Sequence, residues 1–282
     1  AGRVRASWPG ASRAPACMGE WRHARDRLMA RAPKPVQFEP DEDLPVRANP
    51  DLHGHQEAAS ALEGAARSGR LAHAWLVAGP PGIGKATLCW RFARWLLAGG
   101  AEGAPGPSPL HLAPETPPFR RVAAGAHADL RALQPSAEGG VKRLIRVDDV
   151  RAAIRFMAMT PAEGGWRVVL LDQAEAMQPQ AANAILKTLE EPPPRSVLLL
   201  TTAAPDRLLP TIRSRCRRLD LAPLDQAATE RVLAGLLPQM PQAERATLAR
   251  LAEGAPGRAL ALAEGAGLAL QRIVEEVLAA IP

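Results

Sequence analysis

A glycine-rich segment, residues 79–85, follows a short apolar run and precedes a segment with apolar residues at helical spacing. A strand, a glycine-rich loop and a helix in this order are the context that the G-x-x-x-x-G-K pattern requires. Glycines let the backbone wrap around phosphate groups, and the helix N-terminus and the lysine supply positive potential. The sequence therefore predicts a phosphate-binding loop in an α/β fold; the alternative is a glycine-rich turn beside a lysine. The loop consists of Gly79, Pro80, Pro81, Gly82, Ile83, Gly84 and Lys85.

Two positions that normally serve Mg²⁺ and hydrolysis carry unsuitable side chains. A full motif places Ser or Thr after the lysine as a Mg²⁺ ligand, but here Ala86 stands there and Thr87 comes one position late. Asp172 follows an apolar run and resembles the Walker B aspartate, yet the next residue is Gln173, whose amide takes no proton from water. We expect Thr87 to cap or pack, and Glu175 to point away from the site. Efficient ATP hydrolysis is not expected, and binding of ATP or ADP stays open.

Apolar runs alternate with helical segments through the middle of the chain. This alternation predicts a parallel sheet covered by helices on both faces. Past Pro223 the strand patterns stop, and short helical segments separated by Pro and Gly predict a small three-helix domain. The predicted strands are 74–78, about 144–147, 167–171 and 196–202; the predicted helices are 51–68, 148–158 with Asp148 as N-cap, 179–190, 225–236, 242–253 and 258–264.

Composition divides the chain into four predicted parts. Residues 1–48 are rich in Arg and Pro without apolar periodicity, which predicts a disordered extension. Met29 opens a plausible start, so the residues before it are interpreted either as upstream sequence or as part of a basic arm for DNA or membrane. The predicted parts are 1–48, the extension; 49–222, the α/β domain; 223–267, the helical domain; and 268–282, the start of a further helical region.

The net charge of +6 is located at one end of the sequence. Residues 1–34 hold eight Lys and Arg residues and two acidic residues, and the rest of the chain is neutral. A protein that coats DNA needs a basic surface on its folded part. With no Tyr and four Phe the chain also has few rings for base stacking. Broad nucleic-acid binding is therefore disfavoured.

The apolar runs and the cysteines indicate the cellular environment in which we expect the protein. No run of 18 uncharged apolar residues exists, so no membrane span is predicted. Cys17, Cys89 and Cys216 are odd in number and form no C-x-x-C pair, which disfavours a zinc site and disulfide pairing. We expect a reduced, cytoplasmic protein without bound metal.

Three stretches carry a family resemblance: the phosphate loop, residues 183–193 (Asn-Ala-Ile-Leu-Lys-Thr-Leu-Glu-Glu-Pro-Pro) and residues 208–216 (Leu-Leu-Pro-Thr-Ile-Arg-Ser-Arg-Cys). Together they resemble the bacterial DNA polymerase III clamp-loader subunits of the AAA+ class, over about 51–264. The resemblance implies an AAA+ P-loop domain, a small three-helix lid and a truncated C-terminal collar at 268–282. Many relatives carry a four-cysteine zinc module after the P-loop helix; here the Gly- and Pro-rich stretch 99–118 replaces it, so no zinc is expected.

The resemblance also assigns roles to individual residues. An arginine between a helix and the last strand lies at the sheet edge, where its planar guanidinium can reach a neighbour. Arg215, in Ser-Arg-Cys, matches the family's arginine finger, which acts on the γ-phosphate of an adjacent subunit; the alternative is an ordinary surface arginine. Arg258 matches a sensor arginine of the helical domain, with a surface arginine as its alternative. Thr201 and Thr202 match a polar sensor position or simply end a strand.

The losses at Ala86 and Gln173 favour a non-motor subunit over the ATP-hydrolysing gamma/tau subunit. The implied partners are the gamma/tau and delta subunits and, through the complex, the sliding clamp and primed DNA. The complex belongs to the DNA polymerase III holoenzyme, a nucleotidyltransferase. Two alternatives stay open: an active AAA+ ATPase of gamma/tau type, and a nucleotide- or DNA-binding adaptor. A measurement of ATP turnover by the isolated chain distinguishes an active ATPase from a non-motor subunit.

Overall fold

A five-stranded parallel sheet forms the centre of the protein. The structure, a computed structural model, describes residues 46–104, 106–136, 144–163 and 165–265. The strands are β1 (Ala74–Ala78), β2 (Leu130–Leu133), β3 (Arg167–Leu171), β4 (Ser196–Thr202) and β5 (Arg217–Asp220). Their order across the sheet is β2-β3-β4-β1-β5, so β2 and β5 form its edges. The predicted α/β class is confirmed.

Helices cover both faces of the sheet. The helices of the described residues are α1 (Gln56–Arg67), α2 (Lys85–Leu97), α3 (Pro117–Ala123), α4 (Val147–Met157), α5 (Pro179–Glu190), α6 (Pro210–Arg213), α7 (Gln226–Leu236), α8 (Gln242–Leu251) and α9 (Pro256–Glu264), of which α7, α8 and α9 pack on one another. Successive side chains of a strand point to opposite faces. In β4, Val197 and Leu199 pack with α1 and α2, whereas Leu198 and Leu200 pack with α4 and α5. Burial on both faces explains the uninterrupted apolar runs of these strands.

The three helices predicted after residue 223 are confirmed to within two residues at each end. They surround a small apolar cluster of their own that includes Leu233, Leu248 and Ala259. Asp225 caps α7, because its side chain accepts a hydrogen bond from the N–H of Ala228 at 2.6 Å. The division into separate domains near residue 222 stays a prediction.

Two predicted regions fall largely outside the described residues. Of the extension 1–48, only Val46–Ala48 are described, and they form a 3-10 turn. The carbonyl of Arg47 accepts a hydrogen bond from Arg94 at 2.5 Å, so ordered structure begins before the predicted boundary. The segment 268–282 is not described. Within the described ranges, no helix combines the length and apolar character needed to cross a bilayer.

The strand predicted around 144–147 is wrong. Leu144 and Ile145 form only isolated bridges, with Ser136 and Met177 respectively. The edge of the sheet is instead β2, whose four residues are only partly buried or exposed. A short edge strand with half-polar sequence carries little apolar periodicity, which is why the sequence did not reveal it.

The predicted N-cap of α4 is also wrong. Arg146 occupies the cap position, and Asp148 lies in the first turn. Its carboxylate there still interacts favourably with the helix dipole. The helix begins one residue earlier than predicted, at Val147.

The Gly- and Pro-rich stretch 99–118 is fastened to α1 and α2 by side-chain hydrogen bonds, and α3 begins within it at Pro117. Arg67 donates to the carbonyl of Gly103 at 2.5 Å, and Arg91 donates to that of Pro109 at 3.2 Å. Glu63 accepts the N–H of Leu110 at 2.9 Å. Side-chain hydrogen bonds from α1 and α2 therefore hold this Gly- and Pro-rich stretch in place.

Candidate functional site

The predicted strand, loop and helix around the phosphate loop are confirmed. The loop leaves β1 at its carboxyl end and enters α2 at Lys85, and Gly84 precedes the helix with a φ of 102°. Gly79 has a φ of 151°, and a Cβ there would lie 2.5 Å from the carbonyl oxygen of Leu221. The backbone path of the loop therefore requires glycine.

The crest of the loop is exposed and its base is anchored. Pro80, Pro81 and Gly82 are exposed, whereas Ile83 is buried in the apolar cluster that contains α1 and α2. The carbonyl of Ile83 accepts a hydrogen bond from Nε2 of His55 at 2.8 Å. His55 is a loop contact that the sequence did not indicate, since it lies 28 residues away with no motif of its own.

The phosphate-loop lysine is bonded within its own loop. Lys85 is 9% exposed, and its Nζ donates to the carbonyls of Gly79 at 2.8 Å and Pro80 at 2.7 Å. Burial lowers the pKa of Lys85, while the carboxylates of Glu175 and Asp172 act in the opposite direction. The ammonium group is therefore held against the first two residues of the loop.

Asp172 and Thr201 connect the ends of β3 and β4. The hydroxyl of Thr201 donates to Oδ1 of Asp172 and accepts the backbone N–H of Gln173 at 3.0 Å. Gln173 adopts a left-handed conformation with a φ of 54°. Thr201 is fully buried, so it does more than end the strand: it fixes the orientation of the Walker B-like aspartate.

Glu175 does not point away from the site as expected. Its Oε1 accepts the N–H of Ala203 at 3.0 Å, just beyond the end of β4, and its Oε2 is buried with no hydrogen-bond partner among the described residues. Its charge is also the largest factor opposing the lowered pKa of Lys85. The 3-10 turn Ala174–Ala176 brings the side chain back to the sheet end, a geometry that the expectation of a straight strand end omitted.

The start of α2 offers no hydroxyl at the usual Mg²⁺ position. Ala86 and Thr87 are the second and third residues of the helix and are both half-buried. A methyl group supplies no ligand oxygen. Across the four described ranges, no group of three or more His, Cys, Asp or Glu side chains is arranged to hold a metal ion.

The start of α9 packs directly on the phosphate loop. The N–H of Gly257 donates to the carbonyl of Gly82 at 2.9 Å, and a Cβ at Gly82 would lie 3.0 Å from the backbone nitrogen of Arg258. The side chain of Arg258 is 54% exposed and forms an ion pair with Glu253 at 2.8 Å. The backbone at Arg258 thus lies beside the loop, while its guanidinium is engaged with a neighbouring carboxylate.

Arg215 lies between α6 and the edge strand β5, as predicted. Its side chain is engaged within the chain: Nη2 forms an ion pair with Oε1 of Glu190 at 2.7 Å, and Nη1 donates to the carbonyl of Thr211 at 3.1 Å. The side chain is 34% exposed. Cys216 is buried, and burial raises the pKa of its thiol to about 12.

Arg215 and the phosphate loop lie at opposite ends of the same strands. In the parallel pair β1 and β5, Trp75 faces Arg217 and Ala78 faces Asp220. Residues before β5 are therefore at the amino ends of the strands, and the loop follows their carboxyl ends. At about 3.3 Å per residue, the paired part alone separates these ends by about 10 Å. Lys85, Asp172, Thr201 and the start of α9 meet at the carboxyl end, and Arg215 does not join them.

The similar proteins found by comparison of sequences are DNA polymerase III subunits. A sequence-family model described as "DNA polymerase III, delta subunit" matches residues 54–225. DNA polymerase III subunit delta′ of Pseudomonas aeruginosa is 41% identical over 80% of this chain and 66% of its own length. DNA polymerase III subunit delta′ of Escherichia coli is 36% identical over 71% of this chain and 57% of its own length.

Among solved structures, a DNA polymerase III gamma subunit-related protein from Thermotoga maritima is similar with a TM-score of 0.46 and 22% identity. The match covers 71% of this chain and 57% of that one. The chain thus spans about two thirds or less of the length of the relatives that it matches.

Proposed function

Since this chain belongs to the DNA polymerase III delta subunit family, we propose that it acts as a delta-prime-like subunit of the bacterial clamp loader. In this role it is a non-motor AAA+ platform that donates Arg215 to a neighbouring ATPase subunit while the complex opens a sliding clamp and loads it on primed DNA. The proposed partners are the gamma/tau and delta subunits, in the cytoplasm. The delta′ relatives support this role, and so do the missing groups at Ala86 and Gln173.

The position of Arg215 is the observation that carries the proposal. The guanidinium lies partly exposed at the sheet edge, at the strand ends opposite to the chain's own phosphate loop. It is therefore poorly placed to contact a phosphate held by that loop. A nucleotide bound to an adjacent subunit is the substrate that this position serves.

The chemistry of an arginine suits this task. During phosphoryl transfer negative charge is spread over the γ-phosphate oxygens, and a planar guanidinium stabilises that charge with paired N–H groups. Such a finger contributes about 10³–10⁵-fold to the rate of the site it serves. The bond to water forms and the β–γ bond breaks in the neighbour, so the platform itself needs no base.

The chain's own loop supports nucleotide binding more than nucleotide hydrolysis. A nucleotide bound there would be held by the backbone N–H groups of residues 82–87 and by Lys85, and Arg258 lies beside the loop. Magnesium fits poorly because Ala86 supplies no hydroxyl, and Gln173 supplies no base. We therefore expect ATP or ADP to act, where bound, as a structural ligand of this subunit.

The test is reconstitution of the complete subunit with its partner subunits. Arg215→Ala should lower clamp- and DNA-stimulated ATP turnover partially, because only the site that Arg215 serves is affected. Arg217→Ala is the matched control, since Arg217 is exposed at the same edge and its guanidinium lies 4.9 Å from the ring of Trp75. Wild-type turnover in both variants, at equal assembly, would show that Arg215 is an ordinary surface residue.

A further inference from the structure

The ion pair between Arg215 and Glu190 joins two of the stretches that carry the family resemblance, 183–193 and 208–216. Glu190 is the last residue of α5, and Arg215 follows α6, 25 residues later. We propose that Glu190 is a positioning residue, which orients the Arg215 guanidinium for the phosphate of the neighbouring subunit. The inference rests on the proposed function and concerns the arrangement of that same finger.

Two different elements hold the two terminal nitrogens of the guanidinium. Glu190 at the end of α5 binds Nη2 at 2.7 Å, and the carbonyl of Thr211 in α6 accepts from Nη1 at 3.1 Å. The hydroxyl of Ser214 lies 3.5 Å from Nη1. Because the guanidinium is planar, contacts to both terminal nitrogens restrict both its position and the orientation of its plane.

These contacts leave donors for a phosphate. A guanidinium carries five N–H donors, and the bonds just described involve neither Nε nor the second hydrogen of Nη2. The side chain is also 34% exposed, so a neighbouring subunit has access to it. Glu190 therefore holds the finger without using all of its binding capacity.

Pre-organisation gives the expected size of the effect. An arginine that is already oriented loses less rotamer freedom when it binds. Glu190 itself is 51% exposed, and exposed ion pairs contribute modestly. Loss of Glu190 should therefore slow the served site by about three- to tenfold, far less than loss of the arginine itself.

If Glu190 competed with the phosphate for Arg215, its removal would change ATP turnover in the opposite direction. If Glu190 only withheld Arg215 from the phosphate, neutralising it would release the finger and raise turnover. A positioning role instead requires the acceptor oxygen, which glutamine retains and alanine lacks. The Glu190→Gln and Glu190→Ala variants therefore separate the two roles.

The experiment measures single-turnover ATP hydrolysis by the clamp loader reconstituted with the complete subunit, so that the served site appears as a separate kinetic phase. Glu190→Ala should slow that phase by about three- to tenfold, with the nucleotide affinity of the complex unchanged. Glu190→Gln should retain most of the rate. Glu191→Ala is the matched control, because Glu191 is the adjacent exposed carboxylate.

A double variant shows whether Glu190 acts through Arg215. Adding Glu190→Ala to Arg215→Ala should cause no further loss, an outcome that a general structural role would not give. The proposal is overturned if Glu190→Ala behaves like Glu191→Ala, if its effect persists without Arg215, or if Glu190→Ala and Glu190→Gln both raise the rate.

The same assay separates the two proposals. If Arg215→Ala leaves the rate of ATP hydrolysis unchanged, the proposed function fails. If only Glu190→Ala leaves it unchanged, the positioning role alone fails. Melting temperatures of the variants, with the near-isosteric Glu190→Gln, identify any folding defect.

Discussion

The phosphate loop and the Arg215 edge lie at opposite ends of the same strands and hold their cations differently. At the loop, Lys85 is almost completely buried, donates to two carbonyls of its own loop, and has a pKa lowered by burial. At the edge, Arg215 is one-third exposed, and its partner Glu190 is half exposed. The lysine of the loop is therefore buried against its own loop, whereas the arginine at the edge stays partly accessible.

This difference follows the chemistry that each region retains. The loop keeps its glycines and lysine but has a methyl group at position 86 and an amide at position 173, where Mg²⁺ binding and proton transfer need oxygen ligands and a base. The edge keeps an intact arginine with donors to spare. Under the proposed function, such a subunit would leave hydrolysis to a neighbour and contribute Arg215 to it.

The largest expected effect concerns ATP turnover by the purified chain. A positioned general base contributes about 10²–10⁴-fold, so we expect turnover far below about 1 s⁻¹, the slow end of typical enzymes. The double variant Ala86→Ser with Gln173→Glu should recover only a small part, because no neighbour supplies an arginine. A phosphate-release assay with both proteins makes the comparison. Wild-type turnover of about 1 s⁻¹ would show that the loop catalyses hydrolysis itself, and the contrast between the two regions would be wrong.

The second prediction tests how tightly the loop is packed. Gly82 has a φ of 77°, and a Cβ there would meet the backbone of Gly257 and Arg258. Gly82→Ala should lower the free energy of unfolding by about 1–3 kcal/mol, measured by urea denaturation. Gly235→Ala is the control, since Gly235 lies in α7 with open space around it and alanine favours a helix. Equal stability of the two variants would mean that neither the left-handed backbone at Gly82 nor its contact with α9 constrains the loop.

The smallest effect is expected for the stability of Arg215→Ala. The change removes an exposed ion pair and one carbonyl contact, so the free energy of unfolding should fall by at most about 1 kcal/mol. The same urea measurements on the purified chain provide the test. A loss larger than that of Gly82→Ala would indicate that Arg215 supports the fold, and the contrast between a packed loop and an available edge would be wrong.

Local sequence patterns predicted the elements that carry long apolar runs or clear boundaries. The runs at 74–78, 167–171 and 196–202 became β1, β3 and β4, because strands buried on both faces need apolar residues at every position. The short edge strand β2 has no such requirement, and it was missed. The N-cap predicted at Asp148 was also wrong, because the residue that caps a helix is decided by backbone geometry as well as by side-chain type.

Within the candidate site, the sequence by itself determined which chemical groups are present: the loop glycines, Lys85, Asp172, Arg215 and the missing oxygen at position 86. Only the tertiary structure decided which groups meet, because those contacts join residues far apart in the chain. His55 reaches the loop from 28 residues away, Thr201 bonds Asp172 from the neighbouring strand, and Glu190 pairs with Arg215 across two helices. Such pairings depend on strand order and helix packing, which local propensity does not encode.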